Sequence, residues 1–149
     1  MKILDHKKLR ISFVELGALL GTRAMLEFKV LEDGKELEVP NKKSHLFNMT
    51  QICKTAGCGS IACIGGTMAM IMGLEPTSYV RSAEGELKQL FYPHYRTGKL
   101  EGIELYSWGR IKPAEAIKVI DRFLRTGKAE WQKVLGAKRV AELQKLSDR

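Results

Sequence analysis

Residues 55–74 make twenty consecutive positions without a charge, and five of them are glycine: Gly57, Gly59, Gly65, Gly66 and Gly73. No other stretch restricts the fold so much. An uncharged run of that length meets the size of a membrane span, for which about 20 apolar residues are needed. The glycines dilute it, and its helical part, 61–74, would rise only about 21 Å against roughly 30 Å of hydrocarbon. The run therefore predicts the buried middle of a globular fold: a glycine-rich turn at 56–60, Ser60 as N-cap, and a helix over 61–74 that is apolar nearly all round and ends at Gly73. Gly65, Ala69 and Gly73 fall four apart, so another helix can approach closely there, while Met68, Ile71 and Met72 fill the other face.

The flanking segments predict further helices. Leu9, Phe13, Leu16, Gly17 and Leu20 recur at helical intervals over 7–20, with Gly21 as the terminating glycine. Leu26, Phe28 and Val30 then alternate with Glu27 and Lys29, Asp33-Gly34 offers a turn, and Leu37 and Val39 alternate with Glu36 and Glu38, which predicts a short hairpin. A helix over 83–91 turns Leu87, Leu90 and Phe91 inward before Pro93. Residues 94–110 read as a long connection with a short strand over 103–106. Pro113 opens a helix whose core face is Ile117, Ile120, Phe123 and Leu124, stopped by Gly127. A last helix over 129–146 carries Trp131, Val134, Leu135, Val140 and Leu143, weakened in its middle by Gly136. The expected fold is mainly α: one small helical domain over 1–149, of about five helices around a buried Gly/Met-rich central helix, with one short β-hairpin and a basic end that frays from about 147.

With 44% hydrophobic and 28% charged residues, the 149-residue chain has globular composition and enough apolar surface for one core, which excludes disordered, collagen-like and coiled-coil classes. The net charge is +8, with +3 in residues 1–10, balance over 11–60 and +5 over 61–149. Such a field favours anionic partners: a phosphorylated small molecule, a nucleic acid or an acidic protein surface. Cys53, Cys58 and Cys63 are odd in number and five apart, which points to a reducing, cytoplasmic setting. Their spacing is not that of a zinc site, and neither His45 nor His94 falls at a matching interval, so no metal is expected. Nothing in the chain calls for a cofactor or a membrane partner. The charged residues 1–10 lack the apolar centre of a secretion signal.

The words most able to carry chemistry are Gly57-Cys58-Gly59-Ser60-Ile61-Ala62-Cys63. A glycine turn opening onto a helix leaves unpaired N–H groups and the positive end of the helix dipole, a ready place for an anion. The amides of Gly59, Ser60 and Ile61 are the expected ligands, with Lys54, Arg81 and Lys88 as charge partners. The same field would lower the pKa of Cys58, so the alternative is a cysteine-dependent hydrolase or transferase in which Cys58 attacks and His94 accepts the proton. The Cys-Gly-Ser start also occurs in papain-type enzymes, but only 91 residues follow Cys58, too few for the roughly 130 before their histidine. Gly57-x-Gly59-x-x-Ala62 meets the loose dinucleotide fingerprint without the preceding strand or the distant acid it requires. Tyr92, Tyr95, Tyr106 and Trp108, interleaved with Arg96, Lys99, Arg110 and Lys112, would suit base stacking, or simply anchor a loop over the core.

Phe47-Asn48-Met49 followed by Cys58-Gly59-Ser60-Ile61-Ala62-Cys63-Ile64-Gly65 resembles the Phe-Asp-Met…Cys-Gly-Thr-x-Ala-Cys-x-x-Gly pattern of a family of small phage, prophage and bacterial proteins with no assigned activity. Leu90-Phe91-Tyr92-Pro93, Pro113…Ala116…Val119-Ile120 and Thr126-Gly127…Glu130-Trp131 resemble the same family's later landmarks. Where that family usually has Trp or His and then Ala, this chain has Gly66-Thr67. The resemblance implies a bacterial or phage cytoplasmic setting and no particular mechanism. The leading expectation is a non-enzymatic binding protein for an anionic partner.

Overall fold

The computed structural model describes residues 2–34, 46–47, 54–56, 59–83, 85–92, 95–96, 99–100 and 110–147. Asp5 caps helix α1 (His6–Leu9) by accepting the Lys8 amide, and Arg10 closes it in the left-handed region at φ 59°. Helix α2 (Phe13–Gly34) follows at once. It is opened by a reciprocal pair in which the Ser12 amide donates to Glu15 Oε1 and the Glu15 amide donates to Ser12 Oγ. The single helix predicted over 7–20 is thus two, and the second runs through Gly21 to Gly34. It takes in residues 26–34, so the first arm and turn of the predicted hairpin are helical. Ala18, Leu19, Thr22 and Leu26 explain why: all four are buried, at intervals that keep one line of a helix facing the core. The second arm, 37–39, lies outside the described residues.

Strands β1 (Leu46–Phe47), β2 (Lys54–Ala56) and β3 (Gly59–Ala62) form a small sheet in the order β1-β3-β2. Strand β3 is parallel to β1 and antiparallel to β2. Helix α3 (Ile64–Met72) leaves β3 after Cys63, with residues Ile64 to Ala69 all buried, and Gly73 caps its end. Helix α4 (Pro76–Arg81) is absent from the sequence expectations; Glu75 caps it and Pro76 fills its first position. Helix α5 (Leu87–Phe91) buries Leu87, Leu90 and Phe91 as expected, though it starts later than 83. Strands β4 (Tyr95–Arg96) and β5 (Lys99–Leu100) pair antiparallel, and the strand expected over 103–106 lies outside the described residues.

Helix α6 (Pro113–Thr126) matches its sequence signals: proline in the first turn, Gly127 at φ 80° after the last, and Ile120, Phe123 and Leu124 fully buried with Ala116 and Val119. Ile117 is only half-buried. The predicted final helix is divided at Gly136, whose φ of 86° and ψ of 155° interrupt it, into α7 (Trp131–Leu135) and α8 (Ala137–Ser147). The molecule is mainly helical, with eight helices among the described residues. Among those residues no helix is long and apolar enough to cross a membrane.

Leu9, Leu19 and Leu26, Ile64 and Met68, Val80, Leu90 and Phe91, and Ile120, Phe123, Trp131 and Leu143 share one hydrophobic core. Polar ties stitch its edges. Arg23 Nε and Nη2 grip both carboxylate oxygens of Asp121, joining α2 to α6. Tyr79 Oη donates to Glu15 Oε2 at 2.6 Å, joining α4 to α2. The Trp131 indole N–H donates to the Gln89 carbonyl at 2.9 Å, fixing α7 on α5.

Candidate functional site

The predicted anion site depends on a helix that starts at Ile61, and the structure moves that start. Gly59, Ser60 and Ile61 belong to β3, where Ile61 lies opposite Leu46 on one side and Lys54 on the other. Their backbone is extended, and the helix begins three residues later with Cys63, not Ser60, as its N-cap. Strand N–H groups point sideways into a ladder rather than together along an axis, so the converging amides of a helix start do not occur at Gly59–Ala62. Pairing across the sheet wins over the local capping signal. Lys54 is on β2, and Arg81 is exposed in the last turn of α4. Lys88 is half-buried on α5. Cys58 and His94, the residues of the alternative enzyme reading, lie outside the described residues, as do Trp108 and Tyr106.

The true start of α3 is closed. Cys63 is buried, its Sγ accepts the Gly66 amide at 3.4 Å, and its carbonyl accepts both the Thr67 amide and the Thr67 hydroxyl, the latter at 2.7 Å. Around it α4 and α5 come in close. A Cβ on Gly65 would lie 2.7 Å from Val80 Cγ2 and 3.1 Å from the Phe91 ring, so the glycine is what permits this approach. Tyr92 covers the corner with its hydroxyl donating to the Val80 carbonyl at 3.5 Å. Burial, with the Cys63 sulfur beside it, pushes the Tyr92 phenol up, and the Arg81 charge pulls the other way. Tyr79 is likewise raised, by burial first and then by its bond to Glu15. These phenols stay neutral and structural. Among the described residues no group of three or more His, Cys, Asp or Glu side chains is placed to hold a metal.

Charge gathers elsewhere. From Arg110 to Ser147 the chain has ten lysines and arginines against four acids. All four acids are engaged. Glu115 takes Arg139 at 2.9 Å, Asp121 takes Arg23 from α2, Glu130 takes Arg122 at 2.8 Å, and Glu142 takes Arg139 at 2.7 Å. Arg122 holds the Glu130 carboxyl below its ordinary value, and Glu115 raises Arg139. Arg110, Lys112, Lys118, Arg125, Lys128, Lys138 and Lys145 are exposed and have no carboxylate within 4.0 Å among the described residues. Lys118 and Arg125 stand seven apart on the outward line of α6, and Lys138 and Lys145 seven apart on that of α8. The Arg139–Glu115 pair ties these helices together, and Arg139 Nη2 also donates to the Arg110 carbonyl at 2.8 Å. This basic surface was visible in sequence only as an excess of charge after residue 61; which cations remain unpaired depends on the partners chosen by the fold.

Comparison of the chain with protein-family models, with curated proteins and with solved structures finds no match.

Proposed function

We propose that the chain is a non-enzymatic binding protein, a small helical domain with α3 as its central helix, that engages an extended anionic partner, nucleic acid foremost, through the basic outer surface of α6–α8. The observation that carries this reading is the set of seven exposed cations there without a carboxylate partner among the described residues. An unpaired cation facing water attracts phosphates without first breaking an ion pair, and each phosphate it neutralises releases condensed counterions. The spread of the cations over α6, α8 and the segments that flank α6 suits a polyanion better than a single phosphate group. In this reading the partner meets side chains rather than the amides of Gly59, Ser60 and Ile61. A reducing bacterial or phage-infected cytoplasm is the setting that the cysteine usage and the family resemblance imply.

The test is binding of the full chain to a fluorescent duplex oligonucleotide over 50 to 300 mM salt. A steep loss of affinity with salt is expected, and the Lys118→Gln/Arg125→Gln/Lys128→Gln variant should reduce the log–log slope by about 2 to 3. A flat salt profile, or a triple variant that binds like the parent, overturns the proposal.

A further inference from the structure

Helix α8 brings Lys138 and Lys145 to the basic surface, yet little apolar contact holds it there. It follows the break at Gly136, and of its eleven residues Leu143 is the one buried among those described, with Val140 half-buried against the core. A polar joint supplies the rest of the attachment. Four of the five N–H groups of the Arg139 guanidinium are taken up within the chain. Nε donates to Glu115 Oε2 at 2.9 Å and Nη2 to Glu115 Oε1 at 3.1 Å, both on α6. Nη2 also donates to the Arg110 carbonyl at 2.8 Å, and Nη1 to Glu142 Oε1 at 2.7 Å. The Arg139 and Glu115 side chains are only 17% and 19% exposed, so water and salt screen the pair less than an ordinary surface bridge.

Glu115 faces two ways. Its Oε1 also accepts the Lys112 amide at 2.9 Å, which closes the first turn of α6. One carboxylate and one guanidinium therefore join three pieces of chain: residues 110–112, the start of α6 and the first turn of α8. These pieces carry Arg110, Lys112, Lys118, Lys138 and Lys145, five of the seven exposed cations that have no carboxylate partner among the described residues.

From this joint we infer that Arg139 is the positioning residue of the basic surface. It fixes α8 against the start of α6, so that Lys138 and Lys145 engage a polyanion together with the cations of 110–128, and its own charge does not meet the phosphates. The inference rests on the reading of that surface given above. Arg139 differs from the seven cations in having its N–H groups occupied, and its planar fork matches both oxygens of Glu115, as the point charge of a lysine cannot. A phosphate that took Arg139 would break the joint and leave a largely buried Glu115 without its cation. An α8 free to swing about Gly136 would instead lose that freedom on binding, which offsets what its two lysines contribute.

Glu115→Gln tests this with the full chain, on the same oligonucleotide and over the same salt range. Glutamine still accepts the Lys112 amide and raises the net charge by one, but it does not hold a guanidinium as a carboxylate does. The log–log slope should fall by about 2, the share of Lys138 and Lys145, although the protein has become more basic. Arg139→Lys, with its charge unchanged, should give the same fall. Adding Lys138→Gln/Lys145→Gln should lower the slope of the parent by about 2 and that of either variant no further. Hydrogen exchange of the free variants should be faster across α8, with α2 and α6 protected as in the parent. A slope that rises in Glu115→Gln makes Arg139 an ordinary contact and overturns the inference. So does an Arg139→Lys variant that matches the parent, parental exchange across α8, or protection lost from α2 and α6 as well, which would make the pair a general support of the fold. Each of these leaves the salt dependence of the parent standing, whereas a flat parental profile overturns the earlier reading and this inference with it.

Discussion

Helices α2 and α6 clasp one another through Arg23 and Asp121 and line the same core, yet their outer faces are opposites. α6 turns Lys118 and Arg125 to water and keeps its apolar residues inside. α2 turns Phe13, Leu20 and Phe28 outward, beside Glu27, which Arg23 engages. A helix of the first kind is finished when the domain folds; one of the second kind leaves hydrophobic area that folding does not remove from water. The contrast sets two kinds of surface side by side in one small molecule: a charged one, where electrostatic attraction acts at long range, and an apolar one, where only close fit has an effect.

The sharpest way to break this contrast is to remove one phenylalanine from each side. Phe123→Ala, at a fully buried position of α6, should cost about 3–5 kcal/mol in urea unfolding. Phe28→Ala should change the stability of dilute protein by no more than about 0.5 kcal/mol. Comparable losses would mean that Phe28 is covered within the chain. A second pair uses one substitution with two signs. Gly65→Ala places a methyl group 2.7 Å from Val80 Cγ2 and should cost about 1–3 kcal/mol. Gly17→Ala meets open space in a helix interior and should gain about 0.5–1 kcal/mol in thermal or urea melts of dilute protein.

The smallest effect is expected at Glu75, whose carboxylate accepts the Thr77 and Ser78 amides at the start of α4. Those bonds, Ser78 foremost, hold its carboxyl below the ordinary 4.5. A group with a lowered folded value contributes stability that is present above its unfolded value and lost as pH falls through the folded one. The melting-temperature difference between the parent and Glu75→Gln should therefore be greatest near neutrality and shrink as the pH falls below the ordinary carboxylate range. A difference that persists at that acidity would assign the effect to packing and not to the charge.

Helix α6 was legible because every local signal agreed: a leading proline, helical periodicity over fourteen residues and a closing glycine. The division at Gly136 was half legible, as a weak point rather than a break. Residues 26–34 misled because strand alternation and helical spacing coincide over so few positions; Leu26 belongs to the line of Leu19 and Thr22, and helix propensity with core burial decided the outcome. Ser60 was the expected cap and Cys63, three residues on, is the observed one; the shift was decided by β1 and β2, segments that no local window contains. Glu75-Pro76 is a cap and first-turn pair that sequence inspection could have read as the start of α4. Of the expected ligand-binding residues, only the general prominence of positive charge carries over to the proposed site. Its location could not be read in advance, because Glu115 and Asp121 find Arg139 and Arg23 through contacts 24 and 98 residues apart in sequence.

The Arg23–Asp121 clasp joins residues 98 positions apart, and the Leu4 amide reaches the Leu124 carbonyl at 2.9 Å. On a ribosome adding 5–20 residues per second, α2 emerges on the order of ten seconds before α6, the later of the two helices that pack on it. For that interval only α3 can shelter its inner side, and the nascent chain depends on that pairing to keep α2 from premature association.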